Sequence, residues 1–150
     1  MPVFIHSRVR TVLIRETVVG QVLQQLLALV GETTSEISIE FVGDARMRRL
    51  NRDYRQKDQT TDVLAFACWE AGGPASPMLG DVVVSVPTAK RQAESLGHSL
   101  NEELIRLLIH GLLHVVGYDH ELGEKEAQRM RRKENQLLAA LKPLPRLVKL

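Results

Sequence analysis

The run Asp81-Val82-Val83-Val84-Ser85-Val86, followed at once by Pro87, is the stretch whose reading decides the fold. A continuous β-branched segment, without the strict polar alternation of a half-wet strand, suits a strand buried on both faces. Pro87 then opens a helix at its first position, where a missing N–H costs nothing, and Gly97 marks that helix's end. Toward the N-terminus lie a loop of eight residues, Glu70 to Pro77 (EAGGPASP), and a strand from Asp62 to Cys68. Before these, Gly43-Asp44 turns into a short helix carrying Met47 and Leu50. Ile37, Ile39 and Phe41 alternate with Ser38 and Glu40, the period of a half-buried strand. Val18, Val19, Val22, Leu23, Leu26, Leu27 and Val30 recur at helical spacing until Gly31, and Val3 to Ile5 is a short strand.

Toward the C-terminus, Ser99 with Glu102 forms a capping box for a helix from about Leu100 to Val116, which Gly117 ends in a left-handed conformation. A last helix runs from about Glu124 to Leu141, with Ala127, Met130, Leu137, Leu138 and Leu141 in one stripe. Pro143 and Pro145 close it into a short basic tail. Strands interleaved with helices predict an α+β fold. We expect one domain over residues 1–150, a small mixed sheet packed with about five helices.

The totals bound what such a domain does. Of 150 residues, 44% are hydrophobic and 25% charged, and 20 Lys plus Arg against 18 Asp plus Glu leave a formal net charge of +2. A chain of this size hides roughly 68 to 70% of the surface its unfolded form exposes, so it needs no metal or disulfide merely to fold. Cys68 is the only cysteine, which suits a reducing compartment and a cytoplasmic location. No segment approaches the roughly 20 apolar residues that span a bilayer, and Met1 to Arg10 lacks a signal-peptide layout; we expect no membrane association. With three Phe, two Tyr and one Trp, the chain is not a module that binds strands mainly by stacking bases on aromatics. Any nucleic-acid contact leans on charge, so the placement of basic residues matters more than their number.

Three of the five histidines fall within His110-Gly-Leu-Leu-His114-Val-Val-Gly-Tyr-Asp-His120. Four residues along a helix turn the direction by about 40° and rise about 6 Å, so His110 and His114 project from one face. If the chain leaves the helix at Gly117 through positive φ, the next turn swings His120 toward the same point. Three neutral imidazoles favour zinc and leave a fourth tetrahedral position for water. Because the ligands carry no charge, the ion's full charge stays at the site, lowering the pKa of water there toward about 7 and attracting an anion such as a phosphodiester. His6 and His98, isolated in sequence, are read as ordinary histidines. The same spacing occurs in zinc proteases with a glutamate directly after the first histidine as general base. Here that place is Gly111, which admits either close approach of substrate or neighbouring segment to the metal, or simple packing of the helix.

Together with Leu50-Asn51 followed by Arg55, Thr61-Asp62-Val63-Leu64-Ala65-Phe66 and Leu79-Gly80-Asp81-Val82-Val83-Val84-Ser85, the histidine segment resembles the YbeY family of bacterial endoribonucleases, also called rRNA maturation factors. The resemblance spans nearly the whole chain; Ala65 departs from it, since many members have serine there. It implies a metalloprotein that cleaves single-stranded RNA, matures the 3′ end of small-subunit ribosomal RNA and contributes to ribosome quality control. By position, His110, His114 and His120 match the metal ligands, with one Zn2+ per chain expected, and Arg55 matches the arginine needed for activity. The expected partners are single-stranded RNA, rRNA and the small subunit or its assembly factors, with no DNA.

Arg55 belongs to a group of six cations in twelve residues, Arg46, Arg48, Arg49, Arg52, Arg55 and Lys57. For the arginines other than Arg55, a solvated helix face with ion pairs to Asp44, Asp53 and Asp58 is the simpler reading. The planar fork of Arg55 suits bidentate capture of a phosphate. Asp62 and Asp81, at the starts of strand-like runs, either orient Arg55 or a histidine or satisfy backbone donors in a turn, and the structural role is the simpler reading. Asp119 and Glu121 flank His120 as candidates for a base or a partner to a ligand imidazole, and Cys68 and Met130 are read as core. Two alternatives stand beside the nuclease: a zinc peptidase, which Gly111 disfavours, and a non-catalytic ribosome-assembly factor that binds RNA through its basic patch.

Overall fold

The β-branched run lies at the middle of a four-stranded sheet. The structure is a computed structural model that describes residues 3–71, 77–118 and 120–149, apart from the side chains of Ala71 and His120. In chain order its main elements are β1 (Val3–Ser7), β2 (Leu13–Ile14), α1 (Glu16–Leu29), β3 (Glu36–Val42), α2 (Asp44–Arg55) and β4 (Val63–Ala67). There follow β5 (Met78–Ser85), α3 (Val86–Leu96), α4 (Leu100–Val116), α5 (Glu124–Ala140) and β6 (Val148–Lys149), with 3-10 turns at Cys68–Ala71 and His120–Leu122. The strand order is β1-β3-β5-β4, with β1, β3 and β5 parallel and β4 antiparallel to β5. This is the α+β architecture expected, and the five α-helices among the described residues match the number anticipated.

Alternation along the strands divides the core in two. Val82 and Val84 of β5 join Ile37, Ile39 and Phe41 of β3 in the larger core, under α1, α4 and α5. Val83 points the other way and packs with Val42, Leu64 and Met47 beneath α2. The central strand therefore faces apolar neighbours on both sides, which is why its sequence does not alternate. α4 is the most enclosed helix: Leu104, Ile105, Leu108, Ile109, Leu112 and Leu113 are fully buried, and it packs on β4, β5, α3 and α5.

The helix boundaries follow their caps. The Ser99 hydroxyl accepts the N–H of Glu102 at 3.0 Å. At the far end of α4, Gly117 has φ 122°, its N–H reaches the carbonyl of His114 at 3.1 Å, and the Tyr118 N–H reaches that of Leu113 at 2.9 Å, the paired bonds of a Schellman ending.

Three expectations are corrected. Val86 does not end the strand but begins α3, because Ser85 acts as N-cap and accepts the Thr88 N–H. Cys68 is half-buried rather than core, because β4 gives way there to a 3-10 turn. The segment after Pro143 is a docked strand, not a tail. Leu147 and Val148 are buried, β6 pairs antiparallel with β2, and Asn101 of α4 holds the Pro145 carbonyl at 2.8 Å and the Leu147 N–H at 2.6 Å. Of the loop expected over Glu70 to Pro77, residues 72–76 lie outside the described residues. No helix among the described residues is long and apolar enough to cross a membrane.

Candidate active site

A helix locked into the core on most sides makes a rigid mount for the side chains on its remaining face. His110 and His114 occupy that face of α4, and both line an open cleft of about 460 Å³ together with Asn51, Arg55, Lys57, Asp62 and Glu121. The cleft lies between α4, the end of α2 and the chain leading into β4.

Each imidazole carries a carboxylate from a different element. Nδ1 of His110 lies 3.2 Å from Oε2 of Glu134 on α5. Glu134 raises the His110 pKa above its ordinary value, burial opposes the rise, and the charge of Asp62 adds to it. Nε2 of His114 lies 2.9 Å from Oε1 of Glu70, in the 3-10 turn after β4. The backbone of His120 enters a second 3-10 turn shortly after Gly117, while its side chain and Asp119 lie outside the described residues. Among the described residues, no three His, Cys, Asp or Glu side chains gather as a metal-holding group. The two histidines that share the cleft are nitrogen donors of the kind zinc takes, and a carboxylate on one ring nitrogen, as Glu134 is on Nδ1 of His110, is the usual support for a donor through the other.

Arg55 ends α2, and the left-handed Gln56 (φ 58°) turns the chain back. One Nη of Arg55 donates to the Ala65 carbonyl at 2.7 Å, and the guanidinium sits 5.5 Å from the Phe66 ring centroid. Buried Asn51 holds the returning loop, donating from Nδ2 to the Gln59 carbonyl at 2.9 Å while its own carbonyl accepts the Lys57 N–H at 3.2 Å. That fold-back brings Lys57 and Asp62 to the cleft.

Most of the remaining charged candidates separate from the site, Asp62 and Glu121 excepted. Arg48 pairs with Asp58 at 2.8 Å and Arg52 with Asp53 at 3.1 Å, as the simpler reading expects, whereas Arg46 pairs with Glu40 of β3 at 2.9 Å. Asp44 departs from that reading: its ion pair is with Arg91 of α3, at 2.8 Å. Asp62 accepts the Val63 N–H at 2.8 Å, a turn-satisfying role, although it also faces the cleft. Asp81 instead lines a separate cleft between α2 and the sheet, with Ser38, Glu40, Arg46 and Tyr54. His98 meets buried Glu103 at 2.6 Å, and His6 is exposed on β1; both stand apart from the cleft.

The structure also decides the reading of Gly111. A Cβ there would meet Cγ1 of Val82 at 2.5 Å, so glycine is needed for α4 to lie against β5, and the position is buried. Sequence reasoning passed over Glu134 and Glu70, whose contacts depend on the packing of distant elements. Asn51 did leave a signal, as a polar residue in the apolar stripe Met47, Leu50, Asn51, Tyr54.

The chain as a whole is similar to known proteins. The family model described as "Endoribonuclease YbeY" matches residues 6–142. Among curated relatives, the Endoribonuclease YbeY of Pelotomaculum thermopropionicum is 44% identical, covering 94% of this chain and 97% of its own. That of Aquifex aeolicus is 47% identical over 77% of this chain and 76% of its own. The solution structure of TM1509 from Thermotoga maritima superposes with a TM-score of 0.63 at 22% identity, over 91% of this chain and 86% of that one, a likeness of fold.

Proposed function

Because the chain belongs to the Endoribonuclease YbeY family, we propose that it is a zinc-dependent endoribonuclease. Its proposed substrate is single-stranded RNA, and its proposed task is maturation of the 3′ end of small-subunit ribosomal RNA, with ribosome quality control, in the cytoplasm. The observation that carries this reading is that His110 and His114 of α4 and Arg55 of α2 line one cleft.

In this reading His110, His114 and His120 would hold one zinc ion per chain. Such an ion, held by neutral imidazoles, would supply Lewis-acid polarisation of a phosphoryl oxygen and activation of a nucleophile at neutral pH. The chain's own groups do the rest. Glu134, on Nδ1 of His110, fixes that ring's orientation. Arg55 is braced by the Ala65 carbonyl and the Phe66 ring, so its other donors meet a phosphate with little loss of side-chain freedom and stabilise charge that builds on it during cleavage. Lys57 adds a second cation to the same cleft. A peptidase mechanism finds no base after the first histidine, where Gly111 is buried against Val82.

The test uses purified, metal-analysed protein with single-stranded and structured rRNA fragments, followed by mapping of product ends. Cleavage within the single strand is expected. A 2′,3′-cyclic phosphate, or the 3′-phosphate to which it hydrolyses, opposite a 5′-hydroxyl fits attack by the ribose 2′-OH, whereas a 5′-phosphate opposite a 3′-hydroxyl identifies attack by water. His114→Ala is expected to lose bound zinc and to cut RNA more than about 100-fold more slowly, beyond the 10- to 100-fold typical of losing a partner outside the ligand shell. Stoichiometric zinc and full cleavage in that variant would sink the assignment. Saturable binding to ribosomal particles without any cleavage would favour the assembly-factor reading.

A further inference from the structure

We propose that Trp69 is the stacking platform for one unpaired base of the strand whose backbone occupies the cleft. The inference rests on the endoribonuclease reading and adds to it a residue that none of the quoted motifs contains.

Trp69 is the chain's single tryptophan, and it is 54% exposed, an unusual position for so large an apolar side chain. It is not loosely held. Its indole N–H donates to the Val115 carbonyl at 3.1 Å, one residue beyond His114 on α4. The indole lies 6.4 Å from the His114 ring, tilted by 38° to it. The neighbouring Glu70 meets the same histidine through its carboxylate. Two successive residues of the 3-10 turn are thus tied to the helix that carries the candidate ligands. The turn also follows directly from β4, whose Ala65 carbonyl braces Arg55.

The result is an aromatic plane fixed in orientation, open to solvent and adjacent to the cleft. Such a plane takes any base, because every base has a π-face, and it requires that the base be unpaired. Phe66 and Tyr118 are already engaged, Phe66 by Tyr54 and Arg55 and Tyr118 by Arg129. A lone platform is compatible with the scarcity of aromatics, since charge at Arg55 and Lys57 still supplies most of the contact with the phosphates. The competing explanation is that Trp69 merely caps a terminal carbonyl of α4. That role depends on the indole N–H and not on an open ring face, so the two explanations separate in experiment.

Because no other tryptophan is present, its fluorescence reports this position alone. The full chain is mixed in stopped flow with a single-stranded RNA of about a dozen nucleotides, and the tryptophan emission is followed within one turnover. Anisotropy of a labelled copy of the RNA measures binding in parallel. Quenching on binding is expected, together with its loss when one particular nucleotide is made abasic. Trp69→Ala should weaken binding about 5- to 150-fold, the range for losing one base–aromatic stack, with the loss falling mainly on KM. Trp69→Phe, which keeps a ring and lacks the N–H, should stay nearer the wild type. RNA that binds and is cleaved with unchanged emission and a flat abasic scan would overturn the platform while leaving the nuclease reading intact. Equal quenching by a fully paired duplex, or equal losses in the Phe and Ala variants, would overturn it too. Failure of the wild-type chain to bind or cut any RNA would remove the nuclease reading and this inference with it. The emission and abasic measurements use the wild-type chain, so they decide the matter even if Trp69→Ala does not fold.

Discussion

Gly111 shows how one residue reconciles helix propensity with packing. Glycine inside a helix costs about 1 kcal/mol relative to alanine, so Gly111→Ala ought to stabilise α4 taken alone. In the folded protein the new Cβ would strike Val82, a stiff, β-branched side chain with no room to yield. Overpacking costs about 1 to 3 kcal/mol, so Gly111→Ala should lower stability by up to about 2 kcal/mol. The urea midpoint measures it, and the penalty should shrink when Val82→Ala is added, because the two residues share one contact. An undiminished penalty in the double variant would place the strain elsewhere. The consequence for function follows from geometry: a glycine that faces β5 does not face the cleft, so it is no opening for substrate.

At the level of elements, Asp44 is the clasp that sets α2 against its neighbours. Its carboxylate accepts from Ser85 Oγ at 2.7 Å, Thr88 Oγ1 at 2.6 Å and Thr60 Oγ1 at 3.1 Å, and meets Arg91 at 2.8 Å. β5, α3 and the loop leading into β4 are thereby joined to the start of α2, the helix that ends in Arg55. Burial pushes the Asp44 carboxyl upward, but the bonds from Thr88, Ser85, Arg91 and Thr60 outweigh it and bring the pKa from 3.8 down to about 2. A carboxylate depressed in the folded state stabilises fully above its unfolded pKa and loses that contribution as pH falls toward the folded value. The shift corresponds to at most about 2 kcal/mol, an upper bound because water screens a partly exposed group. Asp44→Asn should therefore be less stable than wild type at pH 7, and the gap should close between about pH 4 and pH 2, as chemical unfolding at several pH values would show. A gap independent of pH would mean that shape rather than charge holds the clasp.

On the scale of the whole molecule, the C-terminal strand closes the larger core. Leu147 and Val148 are buried, and each such side chain contributes about 1.5 to 3 kcal/mol. Deleting residues 143–150 should therefore cost about 3 to 6 kcal/mol, a large share of the roughly 5 to 15 kcal/mol typical of a domain. Thermal unfolding of the truncated chain measures it, and an unchanged midpoint would show the strand to be dispensable. The sequence by itself determined what depends on neighbours along the chain: the doubly buried strand, the Ser99 cap, the Gly117 ending and the His110 and His114 pair on one helix face. Periodicity and capping are local, and four-residue spacing on a helix needs no tertiary contact to be read. Only the tertiary structure decided that Arg55 and the two histidines share a cleft, that Glu134 and Glu70 stand on their ring nitrogens, and that the last strand is docked. Those contacts join residues far apart in the chain, and they arise from which faces the sheet and helices bury against one another, a choice that no single segment's pattern contains.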